Sequence, residues 1–407
     1  MNAAAPVAGR QAALAFIFVT VVLDILALGI VIPVLPHLVE DFMGGDTAGA
    51  AKVYGLFGTV WALMQFISMP VVGALSDRFG RRRVILLSNL GLGLDYVLMA
   101  LAPNLAWLFV GRVISGITAA SISTAMAYIA DVTPTDKRAA AFGKVGMAFG
   151  LGFVLGPAIG GILGSVDPRL PFWAAAAFSL ANALYGVFVL PESLPPEKRR
   201  AFEWRRANPL GSLRLLRSHP QLSGLAVVVF LSNLAHAALP ATFVLYAGYR
   251  YGWTERDVGF ALASIGVCSA IVQGALVGTT VRRFGERRVL LVGLACGAIG
   301  FFAYGLAPTG ALFIAAVPVV ALWGLASPAA QGIMTRHIAP TEQGALQGAA
   351  GSIMGVATMI GPALFAGTFA YFIGAGTRWH VPGAAFMLAS LLLVASAFVA
   401  ARTTSRP

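Results

Sequence analysis

The sequence predicts an all-α integral membrane protein, with twelve transmembrane helices in two pseudo-symmetric six-helix bundles. Three observations carry this. The 407-residue chain is 58% hydrophobic and only 11% charged, with a mean hydropathy of +0.83; soluble domains carry about 25% charged residues. Its apolar segments have the length of about 20 residues that a helix needs to cross a bilayer, and the short polar stretches between them leave no room for a soluble domain. Two unrelated features recur at one spacing, 205 positions, which marks a duplicated unit. Barrel strands of about 10 residues are too short for such runs, and lipid offers an open backbone no hydrogen-bond partners, so the spans are helices.

Taken in order, the predicted spans are about 13–38, 53–75, 83–102, 106–130, 139–164 and 170–190, then 221–247, 256–280, 288–307, 310–333, 344–369 and 382–401. Span one holds Asp24 in mid-run and leaves through Pro33-Val-Leu-Pro36. It lacks a short apolar core followed by a small-residue cleavage site, so it reads as a retained helix rather than a signal peptide. Span two ends in Gly73-Ala-Leu-Ser-Asp-Arg-Phe-Gly-Arg-Arg-Arg83. Span three carries Asp95 and span four Arg112. Span five carries a stripe of small residues, Gly152, Gly156, Gly160 and Gly161, which permits close helix approach, with Pro157 removing one backbone bond. After span six comes the longest polar stretch, Pro191 to Pro220, which divides the spans six and six. The predicted organisation is therefore an N-terminal bundle (1–190), a basic linker (191–220) and a C-terminal bundle (221–407). Within the linker, Leu210 to Arg217 could form a basic amphipathic helix against anionic lipid.

The second half repeats the first. Gly278-Thr-Thr-Val-Arg-Arg-Phe-Gly-Glu-Arg-Arg288 follows span eight as Gly73 to Arg83 follows span two, and Gly361-Pro362 in span eleven matches Gly156-Pro157 in span five. Span seven offers Asn233 and His236, span eight Gln273 and span ten Gln331, while span nine holds no charge. Cys268 and Cys296 lie inside spans and form no disulfide framework.

The net charge of +12 does not indicate nucleic acid. Arg and Lys concentrate in alternate loops (Arg78 to Arg83, Lys137 and Arg138, Lys198 to Arg217, Arg282 to Arg288, Arg336, Arg402 and Arg406), and the opposite loops offer only Lys52, Arg169, Arg250, Arg256 and Arg378. This asymmetry places both termini and the central loop in the cytoplasm.

Six plus six helices with Gly-X-X-X-Asp-Arg-Phe-Gly-Arg-Arg after span two resembles the major facilitator superfamily, whose halves pack around a central cavity with a midplane site. Arg112-X-X-X-Gly116 and Gly152-X-X-X-Gly156-Pro157-X-X-Gly160-Gly161 resemble motifs of its twelve-helix drug/proton antiporters. Asp24 with Pro33-Val-Leu-Pro36, Ala62-Leu-Met-Gln65, Leu94-Asp95-Tyr96, Ser115-Gly-Ile-Thr118 and Glu342-Gln-Gly-Ala-Leu-Gln-Gly348 read like the tetracycline efflux branch. The resemblance covers essentially the whole chain. It implies a monomer in a bacterial inner membrane, driven by the proton gradient without a cofactor, whose partners are protons, lipid and a small-molecule substrate. The chain departs from that branch where Gly297 stands in place of a span-nine acid and Ser269 near the place of a span-eight His.

The candidate proton-coupling residues are Asp24, Asp95 and Arg112. Both acids sit about 12 residues, or roughly 18 Å, from the inner end of their spans, and Arg112 about 6 residues, or roughly 9 Å, from the outer end of its own. Intramembrane charges are rare and costly. Burial disfavours a charged carboxylate and a nearby cation restores it, so an Asp24–Arg112 contact would act as a proton switch that a cationic substrate competes with. Gln65, Asn233, His236, Gln273 and Gln331 are the candidate cavity residues. Gly73, Asp77, Arg78, Gly80, Arg81 and Arg82 form a candidate gating loop, with Asp77 expected beside the helix N-terminus of span eleven. The family antiporter motif implies that span five seals against the opposite half.

No cluster has metal-ligand spacing and no nucleophile–base set is assembled, which argues against an enzyme; short tails leave no domain for a receptor. The reading is proton-coupled efflux of a small amphiphilic compound. The alternative is an importer of a sugar or organic acid, with protons moving in the substrate's direction.

Overall fold

Twelve helices are long and apolar enough to cross a membrane, and no strand occurs among the described residues. The computed structural model describes residues 7–119, 121–134, 137–199, 220–338 and 343–404. Spans one to six are Ala15–Phe42, Thr47–Phe79, Arg81–Leu101, Leu105–Val132, Ala141–Gly164 and Leu170–Val189. Spans seven to twelve are Leu222–Tyr251, Glu255–Phe284, Glu286–Leu306, Gly310–Arg336, Leu346–Ile373 and Ala384–Thr403. Each predicted span is present, and several helices run a turn or more past the apolar run that identified them. Leu210 to Arg217, read as a surface helix, lies outside the described residues.

Several spans are interrupted where the sequence gives cause. Span one stops at Val31 and resumes at Leu35, around Pro33, which lacks a backbone donor. Span seven breaks at Ala237, immediately after His236. Span eight contains a π turn at Val272–Leu276, which includes Gln273, and span ten a 3₁₀ turn at Leu322–Leu325. Pro157 sits inside a helix that continues from Arg138 to Gly164.

Packing sorts the chain into two units, Met1–Leu35 with Leu63–Asn208 and Pro36–Ala62 with Pro209–Pro407. The boundary read from the linker differs from these units in one segment, residues 36–62, which contains the end of span one and the start of span two. Specific contacts hold that segment in the second unit. His37 Nδ1 pairs with Glu255 Oε1 at 3.2 Å, the Tyr54 hydroxyl donates to the Pro240 carbonyl at 3.3 Å, and a Cβ on Gly58 would fall 2.8 Å from Pro362 Cβ.

In the first unit span one packs on spans five and six, and span three on spans four and six. The core is apolar and includes Ile17, Val21 and Ile25 against Tyr128, Ile129, Val145 and Ala148. In the second unit the equivalent pairs recur, seven on eleven and twelve, and nine on ten and twelve. The duplication seen in the sequence is therefore a duplication of helix packing.

Candidate functional site

In the first unit, packing of spans one, three and six brings three polar side chains together in an otherwise apolar bundle. Asn182 on span six, fully buried, donates from Nδ2 to Asp24 Oδ1 at 2.8 Å and to the Thr20 carbonyl at 2.9 Å. Asn89 on span three is 1% exposed. With its amide nitrogen turned toward span one it donates to Asp24 Oδ1 and Oδ2, each at 3.3 Å, and its oxygen accepts from Asn182 at 3.0 Å. Asp24 is thus held by neutral amides that the sequence reading did not name.

Asp95, 1% exposed, has Arg112 as its charged neighbour from span four. Spans three and four pack side by side, so Arg112 acts electrostatically on Asp95, while neither carboxylate oxygen of Asp95 has a hydrogen-bond partner. A Cβ on Gly111 would lie 3.1 Å from Asp95 Oδ1, so Gly111 leaves the room this acid occupies. The buried phenol of Tyr96 lies within electrostatic reach of Asp95, Arg112 and Asp24.

The loop after span two is a second constellation. Arg81 pairs with Asp77 at 2.7 Å and with Asp131, at the end of span four, at 3.2 Å. Glu192, just beyond span six, accepts from the Arg81 backbone nitrogen at 2.9 Å and from that of Arg82 at 3.5 Å, placing a carboxylate on the helix N-terminus of span three. Arg82 donates to the Val187 carbonyl, and Arg78 lies over the Phe79 ring at 5.0 Å. A Cβ on Gly73 would meet nothing within 4 Å, so that glycine is not required by close packing. Gly80 is required, because it adopts φ 99° and a Cβ there would strike the Glu192 carboxylate. Gly80→Ala is therefore expected to cost more than about 1 kcal/mol and to lower the thermal midpoint of the purified protein, a shift that Gly73→Ala should not reproduce. Glu192 and Asp131 were missed in the sequence, although Pro191-Glu192-Ser193 directly after an apolar span was the available signal.

The repeat retains this arrangement with its signs exchanged. Gly285 adopts φ 77°, and Glu286 pairs with Arg336 at 2.9 Å. These two residues stand 205 positions after Arg81 and Asp131.

The glycine stripe of span five lies on span one of its own unit. A Cβ on Gly156 would come within 2.7 Å of Gly29 Cα, one on Gly152 would meet Ile25, and one on Gly160 the Ile30 carbonyl. Gly161 is buried alongside. These contacts join two helices within one half. In the second unit Gly361 meets Ala237 of span seven in the same way.

That correspondence fixes the repeat locally. Gly29 facing Gly156 and Ala237 facing Gly361 shift span one onto span seven by 208 positions, which carries Asp24 onto Ser232. The 205 shift carries Asn89, Asp95 and Arg112 onto Leu294, Gly300 and Val317. Spans six and twelve begin 214 positions apart, which carries Asn182 onto Ser396. Ser396 Oγ donates to the Val228 carbonyl at 3.2 Å, as Asn182 donates to Thr20, so the alignment holds at the level of one hydrogen bond. No charge of the first-unit cluster has a charged counterpart in the second.

The predicted cavity residues are less organised. Gln65 is half-buried; Asn233 donates to its own helix at the Val229 carbonyl, 2.8 Å away. His236, Gln273 and Gln331 are exposed. The His236 ring lies 5.4 Å from that of Trp323, whose Nε1 donates to Ser232 Oγ at 3.1 Å. Gly297 has no room for the acid of the tetracycline branch, because a Cβ there would fall 2.8 Å from the Trp323 ring and 2.9 Å from Leu393.

A family model described as Major Facilitator Superfamily matches residues 17–362. The chain belongs to this superfamily. It is 36% identical over 378 residues to the tetracycline resistance protein, class C, of Escherichia coli, a match covering 92% of this chain and 95% of that protein. It is 29% identical to multidrug resistance protein 2 of Bacillus subtilis (strain 168), covering 83% of this chain and 84% of the relative. Among solved structures it is similar to the human organic anion transporter MFSD10, with a TM-score of 0.70 at 25% identity, covering 96% of this chain and 99% of that one. The nucleoside transporter NupG shares the fold, with a TM-score of 0.77 at 13% identity over 97% of this chain and 100% of that one. The resemblance to the tetracycline efflux branch, read first from short motifs, thus extends along the superfamily chain as a whole. This superfamily member is a multi-pass membrane protein of a transporter family, not of an enzyme family.

Proposed function

We propose that the chain is a proton-coupled antiporter that exports a small amphiphilic drug across the cytoplasmic membrane by alternating access, as a monomer with both termini cytoplasmic. One observation carries the reading: a cluster of two acids and an arginine is embedded in one bundle, and its repeat counterparts in the other are uncharged. Intramembrane acids are costly to retain and mark proton and substrate pathways. The relatives' names, tetracycline resistance and multidrug resistance proteins, support drug export. Exposed His236, Gln273 and Gln331, with Gln65 and Asn233, supply neutral polar contacts to substrate, and Trp323 beside His236 an aromatic face. Without an acid at Gly297, an uncharged or monocationic amphiphile fits this second half better than tetracycline. No cofactor is needed beyond the gradient.

Proteoliposomes test the reading by the direction of flow. Substrate must move against the proton flux; movement with it would mean an importer. Resistance profiles of a pump-deleted host expressing the chain, with tetracycline and monocationic amphiphiles on one panel, identify the substrate class.

Asp77, paired with Arg81 in the loop network, is read as a gating residue. Asp77→Asn is expected to slow turnover several-fold and shift the labelling of cysteines engineered at the cytoplasmic ends of the spans, with substrate affinity nearly unchanged. A collapse of affinity with unaltered labelling would remove Asp77 from the gate.

A further inference from the structure

We infer that Asn89 and Asn182 are positioning residues that hold the Asp24 carboxyl group in place in both of its protonation states; this rests on Asp24 being the proton carrier. The reason lies in what an amide can do. A carboxylate only accepts hydrogen bonds, a carboxylic acid also donates one, and arginine or lysine only donates. A partner that must serve both states has to be donor and acceptor, and a carboxamide is both.

The geometry fits that requirement. Asn182 Nδ2 donates to Asp24 Oδ1 at 2.8 Å, while its own Oδ1 is buried without a hydrogen-bond partner. The cluster thus holds an acceptor that the ionised state does not use. Asn89 is more telling. A half-turn of its carboxamide exchanges nitrogen and oxygen at one site, 3.3 Å from both Asp24 oxygens. Nitrogen toward Asp24 suits the carboxylate, and oxygen toward Asp24 suits the acid. The second arrangement sets the Asn89 nitrogen 3.0 Å from Asn182 Nδ2. Asn182 must then turn with it, presenting its unpartnered Oδ1 and giving up its bond to the Thr20 carbonyl. That terminal torsion is broad and roughly two-fold, so the exchange moves no backbone.

Asp95 and Tyr96 on span three and Arg112 on span four interact electrostatically near this site, and the phenols of Tyr128 on span four and Tyr185 on span six pack against span one at Ile25 and Phe16. Span five, packed against span one, carries no titratable or charged group between Lys144 and Gly164. The immediate partners of Asp24 are therefore neutral, and its charge state reaches spans three and six through the amides. Where the repeat lacks the acid it also lacks both amides, with Leu294 and Ser396 in their places.

Infrared difference spectra of the full chain in proteoliposomes, recorded across a pH change, test this without any substrate. A carboxyl band present in the wild type and absent from Asp24→Asn belongs to Asp24. In Asn89→Leu and Asn182→Leu that band should move to higher wavenumber, as the acid loses its hydrogen bond, and gradient-driven transport should fall about tenfold, the equivalent of one hydrogen bond. Asn89→Gln, which keeps the carboxamide, should return the band toward its wild-type position. If a leucine variant fails to reach the membrane, Asn89→Ala removes the amide without adding bulk or any hydrogen-bonding group and is read in the same way. An Asp24 band that stays in place in the amide-free variants overturns the inference while leaving Asp24 as carrier. No Asp24-dependent band in the wild type overturns the carrier reading, and this inference with it.

Discussion

Asp24→Asn is expected to abolish gradient-driven efflux while leaving folded protein in the membrane. The substitution keeps the size of the side chain and its ability to hydrogen bond to Asn182 and Asn89, so the packing of spans one, three and six should survive. It removes the only carboxylate between Ala15 and Val31, before the break in span one. Facilitated movement of substrate down its own gradient should persist, because no apolar contact is lost. Two measurements decide it together: proton-driven transport in proteoliposomes, and the amount of protein recovered from the membrane. Wild-type proton-driven efflux by the mutant would sink the assignment.

Gly160→Leu and Gly156→Leu should be equally severe for a different reason. A side chain at either position meets backbone of span one, the Ile30 carbonyl or the Gly29 Cα, and backbone cannot swing aside as a side-chain tip can. Overpacking costs about 1–3 kcal/mol where neighbours can adjust and more where they cannot. The expected result is loss of folded protein as well as of transport. Span five supplies its own control, since a Cβ on Gly143, Gly146 or Gly150 would meet nothing within 4 Å. Gly150→Leu should therefore be recovered at near wild-type levels, and size-exclusion profiles of the three variants side by side check the contrast. Equal loss in all three would mean that span five tolerates no bulk anywhere, and that the contact with span one is not the cause.

Much of the fold was legible because the bilayer imposes a simple rule. A helix must be apolar for about 20 residues, and each such run became a span. The repeat was legible through residues whose backbone role cannot be met otherwise; Gly80 and Gly285 occupy the same unusual φ in both halves. The acids stood out because charge in an apolar run is rare. The partners of those acids did not. Asn182 lies 158 positions from Asp24 and Asn89 carries no charge, so neither breaks the apolar pattern enough to be noticed. The glycine stripe was recognised as a surface for close approach, but a stripe of small residues does not name its partner, and the partner proved to be span one. Glu192 was overlooked because, at the edge of a polar linker, one more carboxylate looks like solvated surface until the helix N-terminus beside it is seen.

The ion pair that recurs with reversed sign, Arg81 with Asp131 and Glu286 with Arg336, limits how the two halves can change over generations. Duplicated segments within one gene tend to overwrite one another through recombination. Here, copying residues 73–83 onto their counterparts would set an arginine opposite Arg336, and the reverse copy would set a glutamate opposite Asp131. Either exchange turns attraction into repulsion unless the partner in the neighbouring span is copied in the same event, about 50 residues away. The sign inversion thus weighs against wholesale exchange between the two loops, and the halves now differ in charge at every position matching Asp24, Asp95 and Arg112.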